Sequence, residues 1–516
     1  MHAPLSKTPR KASGVAVVFA VCLAALILPL SFSGGAVATP AIGRDLGGSA
    51  TSLTWITNAF MLTFGSLLMT AGALADQFGR KRVFLAGVGI FTLFSGLLSF
   101  APSVLVIDLL RGAQGVGAAA ALAGGSAAMA QEFDGHARIR AFSMLGTTFG
   151  IGLAFGPMVA GFLSETLGWQ SIFVTSTVIG IIALGFGMRT LHETRDPNAT
   201  GLDWPGVLTF TAALSLFTFG VIQAPEAGWT HPLVVVPLAG ALASILAFVW
   251  AESRVARPML DLSLFRFPRF VGVQLLPIAT CYSYVVLLIL LPLRFIGVEG
   301  MSEIDAGILM LALSAPMLVV PTLAVTLSRR VSPGILSGVG LLVAAAGLVW
   351  LGRMTPADGA WIALPMLVIG AGAGMPWGLM DALSVTVVPK ERAGMASGIF
   401  NTTKVAGEGV ALAIVSATLA GLTHLGISRL GATGLSGDQL REIGARMVNG
   451  DIAHALPLAP GIDRALLVQG YVEAFHSLTW VLTAITLLSA VASFTLLGRP
   501  HAAEDTPSPD TAAAAA

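Results

Sequence analysis

Long apolar runs alternate with short polar stretches along the whole chain. Scanned with a window of about 19 residues, the runs are 15–38, 51–74, 83–101, 104–130, 141–163, 172–188, 205–223, 232–250, 270–293, 306–327, 334–351, 361–388, 394–422 and 474–497. A bilayer core of about 30 Å needs about 20 helical residues to cross it. In lipid the backbone must satisfy its own polar groups, which leaves only helices and closed barrels. A barrel strand needs about 9–11 residues, so runs of this length exclude strands. The pattern predicts an all-α membrane protein of about 14 transmembrane helices.

Composition agrees. Of the 516 residues, 55% are hydrophobic and 11% are charged. A soluble domain carries about 25% charged residues, so lipid must solvate most of this chain. The 60 glycines suit close helix–helix approach in a membrane. A net charge of +1 argues against a nucleic-acid partner. The two cysteines, Cys22 and Cys281, lie inside apolar runs and offer neither a disulfide framework nor a metal spacing. The eight histidines are scattered. His192, His231 and His424 stand at span ends and His476 opens the last span. No catalytic cluster, metal site or cofactor is expected, so an enzyme is disfavoured. No phosphate-binding Gly-x-x-x-x-Gly-Lys-Ser/Thr loop exists, which argues against an ATP-driven pump.

The N-terminus imitates a secretory signal, with Lys7, Arg10 and Lys11 before an apolar run and Ala36-Val37-Ala38 after it. The run is long enough to span a bilayer and thirteen more follow, so it is read as a retained first helix. With the N-terminus inside, the inner segments hold Arg80, Lys81, Arg82, Arg138, Arg140, Arg189, Arg195, Arg254, Arg257, Arg266, Arg269, Arg329, Arg330, Lys390, Arg392 and Arg499. The short outer loops hold only Arg44 and Arg353, with Arg294 at a helix end. This asymmetry predicts both termini in the cytoplasm of a bacterial-type inner membrane. Residues 423–473 read as a polar outer loop able to form short surface helices, and 499–516 as a disordered tail.

The loop after the second run reads Gly72-Ala-Leu-Ala-Asp76-Gln-Phe-Gly79-Arg80-Lys81-Arg82. As chemistry it is a tight turn with one acid among three cations, which could be only a positive-inside anchor. As a string it resembles the signature loop of the major facilitator superfamily. The run Arg111-Gly-Ala-Gln114-Gly115-Val-Gly117 resembles that family's buried-arginine motif. Gly146, Gly150, Gly152, Gly156-Pro157 and Gly161 resemble its antiporter motif, and Gly168-Trp169 its approach to helix six. The helix count resembles the fourteen-helix drug:proton antiporter branch.

The resemblance implies two six-helix halves, 15–190 and 263–498, joined by a linker with two extra helices, 191–262, flanked by Asp203-Trp204 and Asp261. It implies that Gly72, Asp76, Gly79 and Arg80 form a gate latch between the halves. It also implies a bend at Gly156 and Pro157, where proline removes a backbone donor. A faint repeat, Thr147-Thr148 to Gly152 against Thr402-Thr403 to Gly407, agrees with two halves. The chain departs from the branch in four places. Ser31 and Ala36 stand where an Asp and an Asn are frequent, Arg294 replaces a Tyr, and Gln170 an Arg. Loss of the helix-one acid weakens a claim for organic cations. Ser31 and Arg294 are assigned to the substrate cavity.

Five charges remain inside the runs: Asp108, Arg111, Asp381, Lys404 and Glu408. Each costs about 2.5–3.5 kcal/mol at a helix centre, so each is a candidate for proton coupling and transport. Asp108 with Arg111 and Lys404 with Glu408 share a helix face at three and four residues' spacing. Self-neutralised pairs that only aid insertion are the alternative. Asp381 is either a cavity carboxylate or a gate-side partner of Lys390 and Arg392. The expected function is export of small amphiphilic molecules or drugs in exchange for protons, by a monomer in the bilayer. A proton symporter and a dedicated metabolite exporter are the other transport readings.

Overall fold

The computed structural model describes residues 11–133, 135–195, 203–255, 260, 262–388, 393–429 and 435–498. Lys7, Arg10, Arg257, Asp261, Lys390, Arg392, Arg499 and the tail expected over 499–516 lie outside the described residues. Each apolar run becomes one membrane-length helix. These are α1 (Gly14–Leu46), α2 (Ala50–Phe78), α3 (Arg80–Leu98), α4 (Val104–Glu132), α5 (Arg140–Leu167), α6 (Gln170–Thr190) and α7 (Trp204–Ala227). The remainder are α8 (Pro232–Glu252), α9 (Pro268–Glu299), α10 (Glu303–Leu327), α11 (Pro333–Leu351), α12 (Pro356–Ser384), α13 (Gly398–Arg429) and α14 (Arg464–Leu497).

Their starts follow the polar residues between runs. Ser49, Ser103, Ser302 and Ser332 each accept a hydrogen bond from a backbone N–H of the first turn, satisfying donors a helix cannot satisfy itself. Gly79 separates α2 from α3 at φ 115°, a conformation that only glycine adopts without strain. α9 is irregular. It passes through π-helical turns at Cys281–Val285 and Leu293–Glu299. Pro277 and Pro292 lie just before these turns and take backbone donors out of the ladder.

The outer loop is shorter than the hydropathy predicts. α13 continues to Arg429 and α14 already starts at Arg464, so His476 lies well inside the last helix rather than opening it. Arg464, Gln469 and Glu473 made the first turns of α14 look polar, yet Leu467, Tyr471 and Phe475 recur every four residues and are buried. Between the two helices a short amphipathic helix, Gly437–Val448, buries Leu440, Ile443 and Met447.

The helices pack as two six-helix halves and one inserted pair. In the first half α2 packs on α4, α3 on α4 and α6, and α1 on α5 and α6. In the second half α11 packs on α12 and α14, α10 on α12, and α13 on α14. The halves meet along α5–α10, α2–α13 and α1–α9. Glycine permits these crossings: a Cβ on Gly65 would sit 2.6 Å from Ala406 Cα, inside the partner's backbone. α7 packs on α8 and also on both α2 and α13, so the inserted pair lies over the seam between the halves. α8 leaves Val236, Leu242, Leu246 and Trp250 exposed, as a lipid-facing helix should.

Candidate functional site

The interior charges gather where the halves meet. Lys404 projects from α13 with Nζ 4.7 Å from the ring centre of Trp377 on α12 and 5.7 Å from that of Phe149 on α5. One ammonium therefore touches aromatic rings from both halves. Tyr284 of α9 stands behind Trp377, with ring centres 6.3 Å apart. Glu408 lies one turn deeper on α13. The Cys281 thiol of α9 approaches the adjacent Gly407 carbonyl at 3.9 Å. Lys404 and Glu408 are both partly exposed. Neither makes a hydrogen bond or ion pair among the described residues, contrary to the pair expected from their spacing. The four-residue spacing permits a pair but does not force one, and the aromatic rings hold the Lys404 stem instead.

Asp381 follows Trp377 by one turn of α12 and is exposed. Its backbone carbonyl accepts a hydrogen bond from Ser384. Its expected partners Lys390 and Arg392 lie outside the described residues. Asp381, the Lys404–Trp377–Phe149 cluster and Glu408 thus form a sequence from the end of the bundle that carries residues 76–82 towards its middle.

Arg111 is fully buried and does not pair with Asp108. Its Nε donates to the Ile56 carbonyl at 2.9 Å, and its Nη1 donates to Ser31 Oγ at 2.9 Å and Gln114 Oε1 at 2.6 Å. Phe60 covers its face at 4.4 Å, and Gln114 passes the network on to Ser95 Oγ at 2.7 Å. A fully buried guanidinium needs acceptors on its own plane, and these uncharged groups serve Nε and Nη1, while Nη2 has no hydrogen-bond partner among the described residues. Asp108 lies one turn earlier on the same helix, with Oδ1 buried and without a hydrogen-bond partner among the described residues.

Two residues assigned to the substrate cavity are fully buried in packed contacts. Ser31 is fully buried in the Arg111 network. Arg294 is fully buried too, its Nε donating to Glu299 at 2.6 Å while Phe475 stacks on it at 4.7 Å. The π-helical turn of α9 rotates Arg294 into this packed contact.

In the loop between α2 and α3, Arg80 holds Asp76 at 2.9 Å and donates to Gln131 of α4 at 2.7 Å. The Lys81 and Arg82 backbone N–H groups both donate to Glu193, each at 3.2 Å. A Cβ on Gly79 would lie 2.3 Å from Glu193 Oε1. None of these partners belongs to the second half: Asp76 and Gln131 lie in the first half and Glu193 at the start of the linker. Gly72 stands in open space near the end of α2. α5 runs unbroken through Pro157, while Gly156 lets α1 approach so closely that a Cβ there would sit 2.2 Å from Ser33 Oγ.

The comparison that decides the family is with a sequence model described as Major Facilitator Superfamily, which matches residues 21–412. The chain belongs to the major facilitator superfamily. Multidrug resistance protein Stp of Mycobacterium tuberculosis is 31% identical over 386 residues, covering 74% of this chain and 72% of that one. The cephamycin export protein CmcT of Amycolatopsis lactamdurans is 33% identical over 417 residues, covering 79% and 86%. Among solved structures, an inward-facing, occupied bacterial homologue of the human lysosomal transporter Spinster aligns with TM-score 0.62 at 16% identity, over 94% of this chain and 97% of that one.

One feature of this superfamily fold had no signal in the sequence reading. At the end opposite the 76–82 loop the halves are tied by polar contacts. Arg44 of α1 pairs with Glu303 of α10 at 3.0 Å, and Glu165 of α5 accepts from the Ile304 backbone N–H at 2.8 Å. Asn449 of the outer loop donates to the Ala50 carbonyl of α2 at 2.9 Å. Charge at a span end is cheap, so rules that flag intramembrane charge pass over these residues.

Proposed function

We propose that this chain exports small amphiphilic molecules, drugs among them, in exchange for protons. The observation that carries the reading is that Lys404 and Glu408, at the junction of the halves, make no ion pair or hydrogen bond among the described residues, with Lys404 beside rings from both halves. A charge kept inside an apolar bundle without a protein partner is retained for a ligand or a proton. The relatives named for multidrug resistance and cephamycin export favour the outward direction.

Glu408 carries the proton. Protonation from outside displaces substrate, and the halves rock about the site. One charge moving through 100 mV supplies about 2.3 kcal/mol. Asp381 guards the entrance, and Arg111 positions α4 against α1 and α2. Asp76 and Arg80 act as the gate latch, and α5 flexes at Gly156 and Pro157. The 76–82 loop and both termini face the cytoplasm of the inner membrane, and the protein works as a monomer. The working divisions are 15–190 and 263–498, with 191–262 as linker.

Accumulation of fluorescent cationic, neutral and anionic amphiphiles in efflux-deficient cells tests the reading. Expression should lower accumulation of at least one class, and a protonophore should restore it. Accumulation unchanged across all three classes would contradict it.

A further inference from the structure

Lys404 and Glu408 present two opposite charges on one face of α13, one turn apart and not in contact. Each is partly exposed, and neither has a hydrogen-bond or ion-pair partner among the described residues. Trp377 and Phe149 flank the cationic end. We infer that the site takes an aromatic zwitterion, its carboxylate on Lys404, its ammonium on Glu408 and its ring against Trp377 or Phe149. This deepens the export reading and rests on it for direction.

The charge count favours this class over simpler ones. An anion would satisfy Lys404 and leave the Glu408 carboxyl beside it without a partner. A cation would satisfy Glu408 and meet repulsion from Lys404. A neutral ring would leave both polar ends of the site without a ligand partner in an apolar surround. A zwitterion satisfies both. It also explains competition with the proton, because a protonated Glu408 offers no charge to the ammonium. No covalent step is involved. The proton leaves Glu408 when the ammonium arrives and returns when it departs.

The other ionisable groups around Glu408 leave this balance in place. On α13 itself only Lys404 lies within electrostatic reach, and α9 contributes the Cys281 thiol. α2 packs Met61 and Gly65 on this stretch, and its only ionisable residue is Asp76 near its end. α12 brings Asp381, beyond Trp377 towards the entrance. α7 has only Glu226, which is bonded to the Thr51 N–H at the opposite end of the bundle. α14 carries Arg464, Tyr471, Glu473 and His476 in its N-terminal half, also towards that end.

The test uses one fluorophore in four charge states and the full chain in lipid nanodiscs, with no gradient. The probes are Nε-dansyl-lysine, a zwitterion, its methyl ester, a cation, its Nα-acetyl derivative, an anion, and the doubly blocked neutral form. The zwitterion should bind about tenfold tighter than each of the others, as expected for one further charge-assisted hydrogen bond. Its binding should release a proton, and binding of the acetyl derivative should not. Lys404→Met should abolish the advantage over the methyl ester, and Glu408→Gln the advantage over the acetyl form. Unchanged binding of the neutral probe in both variants verifies the fold. Equal affinity for all four probes in the unaltered protein would overturn the inference, as would no binding of any. So would an advantage that survives both substitutions. Zwitterion preference without proton-driven movement in vesicles would leave the inference standing and overturn the export reading.

Discussion

At the scale of single residues, the fully buried Arg111 shows how much context decides. Sequence spacing alone offered Asp108 as its partner, three residues away. The folded chain gives it Ile56, Ser31 and Gln114 instead, two of them from other helices. A partner brought by tertiary packing leaves no mark at local spacing. Arg111→Ala would orphan these acceptors and open a cavity, so it should cost about 2–4 kcal/mol. A thermal-unfolding series in detergent checks this, and an unchanged midpoint would remove the network's structural role. Asp76 is different, since it is partly exposed beside Arg80 and surface pairs contribute about 0–1 kcal/mol. Asp76→Asn should leave expression and unfolding near normal but slow turnover strongly. Normal turnover in that variant would reduce the loop to a topological anchor.

At the scale of helices, all fourteen membrane runs were legible because lipid allows so few backbone solutions. Their internal irregularities were not. The π-helical turns of α9 depend on how Pro277 and Pro292 are accommodated by neighbours, and the polar first turns of α14 hid its true start. The crossings between the halves were half legible. Glycine abundance signalled close approach, but only the fold shows that Gly65 faces Ala406. Gly65→Leu should force α2 and α13 apart, costing about 1–3 kcal/mol through overpacking. It should slow transport more than it lowers protein yield, because this crossing lies between the moving halves. Measured turnover per folded molecule equal to the parent's would contradict that role.

At the scale of the whole molecule, the superfamily was legible from four short motifs, while the cavity was less so. Lys404 and Glu408 lie partly exposed where the halves meet, while Asp381 is exposed. Ser31 and Arg294 were misplaced because alignment to a motif says nothing about which way a side chain turns. Orientation can be read directly. With Cys22 and Cys281 replaced, Ser332→Cys should resist an impermeant thiol reagent added to intact cells, and Ser436→Cys should react. The reverse pattern would invert the topology proposed here. The central claim is that protons entering at Glu408 drive substrate out, and inverted vesicles energised by respiration test it most directly. Adding a transported amphiphile should release protons from the lumen in vesicles bearing the unaltered protein. Glu408→Gln should abolish that release while leaving the protein folded and inserted. Proton release from the Glu408→Gln vesicles at the unaltered rate would contradict the account.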